Sequence, residues 1–184
     1  MFTTLFYIII AVIILDFAFE RYLSYLNSSM WSNTLPEAFK GIYDEEKYRK
    51  SQDYFKDNQK FGHITSSFSL VLILLMLLFA GFAFVDSWAI QYTSNAILIA
   101  LLFFGILGLA MDLLTTPFSL YDTFVIEEKY GFNKTTLKLF FTDKLKGLLL
   151  GAIIGGGILA LIIWFYLTTG KYFWLFAWGF VTLF

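Results

Sequence analysis

Four stretches of this chain are long, apolar and almost free of charge, and they decide what it can fold into. Residues 2–19 are interrupted only by Asp16, residues 64–85 and 147–167 carry no charge, and residues 96–114 carry only Asp112. Crossing a hydrocarbon layer of about 30 Å takes roughly 17 to 25 helical residues at about 1.5 Å each, so each stretch predicts a spanning helix. A fifth apolar stretch begins at Tyr172 but covers only residues 172–184, about 20 Å of helix. It is too short to reach the far side, and the C-terminus reads as a truncation. Composition agrees: 59% of residues are hydrophobic and only 15% charged, where a soluble domain has about one quarter charged. The expected fold is all-α: a polytopic membrane protein with four transmembrane helices, a truncated fifth, and two helical cytoplasmic loops.

Orientation follows from the basic residues, which are retained on the cytoplasmic side. Arg21, Lys40, Lys47, Arg49, Lys50, Lys56 and Lys60 lie between the first and second apolar stretches, and Lys129, Lys134, Lys138, Lys144 and Lys146 between the third and fourth. Twelve of the 13 basic residues thus fall on one side. The N-terminus is expected outside and the two long loops in the cytoplasm. The first stretch has neither the basic leader nor the small-residue cleavage pattern of a signal peptide, so it reads as a retained anchor.

The long loops carry helix punctuation. Leu35-Pro36 opens a turn, and Asp44 is placed to cap a helix beginning with Glu45 and Glu46. Glu45 with Arg49 and Glu46 with Lys50 form i,i+4 pairs of favourable polarity. Further on, Thr116 and Pro117 read as N-cap and first helical residue, and Gly131 as a C-cap. Leu137, Phe140, Phe141, Leu145 and Leu148 then recur at helical spacing among lysines, as in a helix entering the membrane at a slant with its lysines snorkelling.

The usual catalytic equipment is missing. A net charge of -1 and no Cys exclude a basic nucleic-acid surface, a disulfide scaffold and a thiolate metal site. His63 is the single histidine, so no two-histidine metal site can form, and it reads as an interfacial polar residue. Asp16 and Glu20 lie one turn apart at the end of the first helix, with Ser24 and Asn27 continuing the stripe; they either sit at the headgroup boundary or face a protein interior or water-filled cavity. Gly105, Gly108, Asp112 and Thr115 put small and polar groups on one face of the third helix, with the same two readings for Asp112. Gly147, Gly151 and Gly155 form a G-x-x-x-G-x-x-x-G ridge on the fourth, whose default meaning is close helix packing and whose alternative is a cavity wall. There is no internal repeat, which weakens an inverted-repeat transporter reading.

Two loop stretches resemble something specific. TFVIEEKYGFNKTTLKLFFTDKLKG, residues 123–147, with Pro117, Tyr121 and Asp122 before it, closely resembles the segment preceding the fourth membrane helix of the type I CAAX prenyl endoproteases. These are integral-membrane zinc metalloproteases that convert prenylated a-factor and prelamin A. The motif is carried by Pro117, Tyr121, Thr123, Phe124, Glu127, Glu128, Gly131, Phe132, Asn133 and Asp143. Residues 35–62 resemble the family's first cytoplasmic loop, chiefly at Leu35, Pro36, Lys50, Ser51 and Tyr54. The resemblance covers nearly all 184 residues. One departure is Tyr130, where eukaryotic members tend to have His, which favours a bacterial relative.

The resemblance implies a seven-helix membrane protease whose H-E-x-x-H helix and a distant Glu bind one zinc, the motif's Glu serving as general base. None of those residues has a counterpart here, so no catalytic, cofactor-binding or metal residue is carried over. Residues 1–184 are then expected to be the N-terminal membrane domain, with zinc held only in the full-length protein. The implied partners are the lipid bilayer, the remaining C-terminal catalytic part of the same protein, and a prenylated or other membrane-associated polypeptide substrate, with no nucleic acid. The membrane is the plasma (inner) membrane of a bacterium, or the endoplasmic reticulum or nuclear membrane of a eukaryote. Two other readings stay open on the residues alone: a small channel or transporter subunit, its polar faces lining a path, and a scaffold subunit working through its basic loops.

Overall fold

The computed structural model describes residues 3–39 and 41–183, and its elements are all helical. In chain order they are α1, Thr4–Ser29; α2, Glu45–Leu78; α3, Gly81–Tyr92; α4, Ala96–Tyr121; the single turn α5, Glu128–Tyr130; α6, Leu137–Thr169; and α7, Phe173–Leu183. Short 3-10 turns stand at Glu37–Phe39, just after the expected Leu35-Pro36 turn, and at Gly170–Tyr172; a π-helical turn at Asp122–Glu127 joins α4 to α5.

Among the described residues, three stretches are long and apolar enough to cross a membrane: Glu45–Leu78, Ala96–Tyr130 and Leu137–Gly179. Helix α1 has the length, at 26 residues and about 39 Å. Asp16, Glu20 and Arg21 crowd its second half, which separates it from those three. Large apolar side chains point away from the protein all along these helices: Ile153 is 72% exposed and Leu113 71%. Water would oppose such a surface, whereas acyl chains accept it, since nearly all backbone polar groups away from the helix ends are bonded within their helices.

The expected span over residues 64–85 is divided. Helix α2 stops at Leu78, Ala80 takes φ 56°, and α3 starts afresh at Gly81. The left-handed turn folds the backbone back so tightly that a Cβ on Gly81 would lie 2.5 Å from Met76 Sδ and 3.2 Å from its Cα. Glycine is the residue that fits there. At the other end, α2 begins where the sequence places it, because Asp44 Oδ1 accepts the N–H groups of Glu46 (2.8 Å) and Lys47 (3.1 Å). Those two bonds, Lys47's first, hold the Asp44 carboxyl below its ordinary range. The expected pairs Glu45–Arg49 and Glu46–Lys50 do not close among the described residues; all four side chains are solvated, and such pairs contribute little against side-chain entropy.

Pro117 corrects a second expectation. It lies inside α4 rather than at the start of a new helix. Ending the helix at Thr116 would free several backbone groups at once, whereas continuing through proline forfeits one hydrogen bond and keeps its φ helical. The stop comes later, at Gly131, as the sequence indicates. Gly131 is left-handed at φ 75°, ψ 23°. Phe132 N–H donates to Glu127 O (2.9 Å) and Gly131 N–H to Glu128 O (3.0 Å), the two bonds of a Schellman cap.

The chain divides into two compact units, Met1–Gly81 with Thr115–Lys134, and Phe82–Leu114 with Thr135–Phe184. In the first, Phe118 at the end of α4 packs on Phe61 and Phe68 of α2, ring centroids 6.2 and 4.9 Å away. Its buried apolar residues are Leu35, Ile126 and Tyr130, all in the long loops or their edges. In the second, Lys144 Nζ on α6 donates to Asp112 Oδ1 on α4 at 2.6 Å, and Phe165 on α6 meets Phe173 and Phe176 of α7 at 5.7 and 6.0 Å.

Candidate functional site

The two loop stretches singled out in the sequence meet in the first unit. Asp57, on the charged N-terminal half of α2, accepts from Lys129 Nζ at 2.6 Å and from Tyr130 Oη at 2.8 Å, both on Oδ2. Tyr130 is 6% exposed and meets Tyr54 edge-on at 5.3 Å; Phe132 meets the same ring at 5.0 Å. Asp57 lies two turns before the apolar run that starts at Ile64, and so outside the hydrocarbon. Its carboxyl is held below the ordinary value, first by Lys129 and then by the Tyr130 hydroxyl, while burial pushes the Tyr130 phenol up.

Local chemistry explains why residues 127–133 take this shape. Glu127 O and Glu128 O receive the Schellman bonds, the Glu128 carboxylate accepts from Asn133 Nδ2 at 2.9 Å, and Gly131 supplies the left-handed residue. The run E-E-K-Y-G-F-N is thus a complete helix stop that aims Tyr130 at α2. Tyr121 stacks on Phe61 at 5.0 Å. Thr123 and Phe124 lie in the π turn. Asp143 lies on α6 in the second unit, where it pairs with Lys146 at 3.3 Å on the surface.

The remaining candidates divide. Asp16 and Glu20 are exposed on α1 and have no hydrogen bond or ion pair among the described residues. Ser24, on the same stripe, receives Gln59 Nε2 on both its carbonyl and its hydroxyl oxygen, each at 2.8 Å. Arg21 also fastens α1 to α2, donating to His63 O, Ser66 Oγ and Ser67 Oγ at 3.1–3.2 Å. The sequence signal for it is an arginine beside an apolar run with serines in the first turns of the next one, which a count of loop charge alone does not separate from the other basic residues. Asp112 is committed to Lys144. A Cβ on Gly105, Gly108, Gly147, Gly151 or Gly155 would meet nothing within 4 Å; Gly156 is the ridge neighbour that faces a helix, with Leu101 Cδ2 3.6 Å away.

Beside the Asp57 junction is a cleft of about 470 Å³ lined by five basic and three acidic side chains, among them Arg49, Lys50, Lys60 and Lys129. It can bind charge. Zinc, which the resemblance implies for the whole protease, does not fit these residues: no three of His, Asp and Glu converge among the described residues, and Cys is absent from the sequence.

Comparisons with known proteins agree on one group. Residues 24–184 match the family described as CAAX prenyl protease N-terminal, five membrane helices. A CAAX prenyl protease 1 homolog of Oryza sativa subsp. japonica is 33% identical over 181 residues, covering 94% of this chain and 43% of the relative. A probable CAAX prenyl protease 1 of Schizosaccharomyces pombe is 37% identical over 149 residues, covering 74% and 31%. The crystal structure of S. mikatae Ste24p superposes with a TM-score of 0.85 at 32% identity, over 99% of this chain and 44% of that one. The chain therefore spans less than half the length of these relatives.

Proposed function

Because this chain belongs to the CAAX prenyl protease N-terminal family, we propose that it is the non-catalytic membrane part of a zinc endopeptidase that removes the C-terminal tripeptide from prenylated CAAX proteins. The match over nearly the whole chain but only 44% of the solved relative supports this division. A prenylated terminus is held at the bilayer by its lipid, so the enzyme must bring water and a metal-bearing segment to membrane depth. This chain contributes the walls: α1, α2 with α3, α4 and α6 cross the membrane, and α7 begins a fifth crossing. The N-terminus is outside and both long loops are cytoplasmic, where twelve of 13 basic residues then lie.

The Asp57–Lys129–Tyr130 junction fixes one loop to the other on the cytoplasmic side, where the catalytic part would act. The open ridge of Gly147, Gly151 and Gly155 gives that part, or the chamber, a surface free of bulk. The host membrane is the inner membrane in a bacterium and the endoplasmic reticulum in a eukaryote. The test is tripeptide release from a farnesylated CAAX peptide by the full-length protein in detergent or liposomes. Release that a chelator abolishes and zinc restores supports the reading; a folded, zinc-loaded protein that leaves the peptide intact refutes it.

A further inference from the structure

Next to the Asp57 junction, on its membrane side, runs a second groove of about 560 Å³ formed by α2, the π turn and α5. Its walls are Phe61, Ile64, Tyr121 and Val125, with Ile126 beneath, and Lys60 and Lys129 stand at its mouth. Ile64, Tyr121 and Val125 are 60%, 49% and 46% exposed. We propose that this groove is a binding site for an anionic phospholipid, its phosphate held between Lys60 and Lys129 and an acyl chain laid along Phe61, Ile64 and Val125.

Depth supports this occupant. Ile64 opens the apolar run, and Lys60 lies one turn before it, about 6 Å along the helix. The headgroup layer on each side of the hydrocarbon is roughly 5–8 Å thick. The Lys60 ammonium is therefore at headgroup level, Lys129 beside Asp57 stands at its outer edge, and the apolar walls are at the level of the upper acyl chain. Charge supports the anionic class. Asp57 also borders the groove and offsets the charge of Lys129, so the net positive charge at the mouth is that of Lys60, which is in no ion pair among the described residues. The mouth continues into the cleft where Arg49 and Lys50 are likewise unpaired and basic side chains outnumber acidic ones. A zwitterionic headgroup would leave that surplus uncompensated. Only the position of α2 in the membrane enters here, so the site stands or falls independently of the protease reading.

The experiment uses the full-length protein in nanodiscs of phosphatidylcholine doped with a photoactivatable phosphatidylserine or, separately, its phosphatidylcholine counterpart. Adducts are mapped by peptide mass spectrometry. The phosphatidylserine probe is expected to label the groove at Phe61, Ile64 and Val125, several-fold above the neutral probe. Lys60→Gln, which removes no hydrogen bond or ion pair among the described residues, should cut that preference about fivefold, the effect of one basic residue at a charged surface. Val125→Trp, filling the groove with the lysines intact, should abolish labelling by both probes while tryptic mapping shows the fold preserved. Equal labelling by the two probes overturns the proposal. So does displacement of the lipid by millimolar inorganic phosphate, which would make this a free-phosphate site, and so does an unlabelled groove, which would mean that another part of the protein covers it.

Discussion

Asp57 makes two contacts that geometry alone would rank in the wrong order. Lys129 is nearer, at 2.6 Å, and carries full charge; Tyr130 is at 2.8 Å and neutral. Burial reverses the ranking. The Lys129 side chain is 61% exposed and regains water when its partner is removed, so its pairing contributes little. Tyr130 is 6% exposed, and Asp57→Ala strands its hydroxyl among Tyr54 and the π turn. A hydrogen bond to a charged acceptor contributes about 1.5–3 kcal/mol. In a double-mutant cycle, Asp57→Ala with Tyr130→Phe should show coupling of that size, whereas Asp57→Ala with Lys129→Met should show much less, vanishing in about 1 M salt where the Debye length is about 3 Å. For a chain of this size the Tyr130 coupling corresponds to about 3–12 °C in melting temperature. The assay is thermal unfolding in detergent of the four proteins of each cycle. A Lys129 coupling equal to or larger than that of Tyr130 would refute the argument that burial decides.

Because the Asp57 carboxyl is held below its ordinary value of 3.8 in the folded protein, the stability it contributes is present above that value and disappears as pH falls through the depressed folded pKa. The melting difference between the parent and Asp57→Ala should be constant from neutral pH down to about 5 and close below about 4. Single cysteines at Asn95 and Asp53 should label from opposite faces of sealed vesicles; labelling of both from one face would refute the proposed count of four crossings. Asp112→Asn should lower stability by about 1.5–3 kcal/mol, since Lys144 is then left with a neutral partner in a site where both side chains are about one-fifth to one-quarter exposed. Restoration by the second change Lys144→Met would confirm that the stranded cation is the cause. Gly131→Ala should cost about 1 kcal/mol or more, because the left-handed φ of 75° disfavours any Cβ, and should loosen Tyr130, read as faster proteolysis at Lys129.

The parts of the fold that were legible in the sequence are those a few neighbouring residues decide. Asp44 and Gly131 act through the backbone groups next to them, so composition at two or three positions suffices. Pro117 was misread because its first-turn preference is also local, while what overrides it, the backbone groups a chain break would release near the membrane, is a property of the whole helix. The break at Ala80 has no sequence signature at all: an alanine in the left-handed region is held there by the tight approach of Gly81 to Met76. The site was half legible. E-E-K-Y-G-F-N announces a stop, but its partner Asp57 is 73 positions away from Tyr130, and nothing near either residue points to the other.

The polar stripe on α1 shows how far residue type alone carries and where helix phase must take over. Asp16, Glu20 and Ser24 are spaced by four, a drift of about 40° per step, whereas Arg21 is about 100° from Glu20. The structure turns Arg21 to the serines of α2 and lets Ser24, at the loop end, receive Gln59. The two acids are left on a face that no described side chain approaches with a polar group. Ionised carboxylates at that depth are tolerated only beside water or protein, since lipid gives them neither donor nor charge. The arginine has already taken the protein side. The face bearing Asp16 and Glu20 is thus the one on α1 that hydrocarbon suits least.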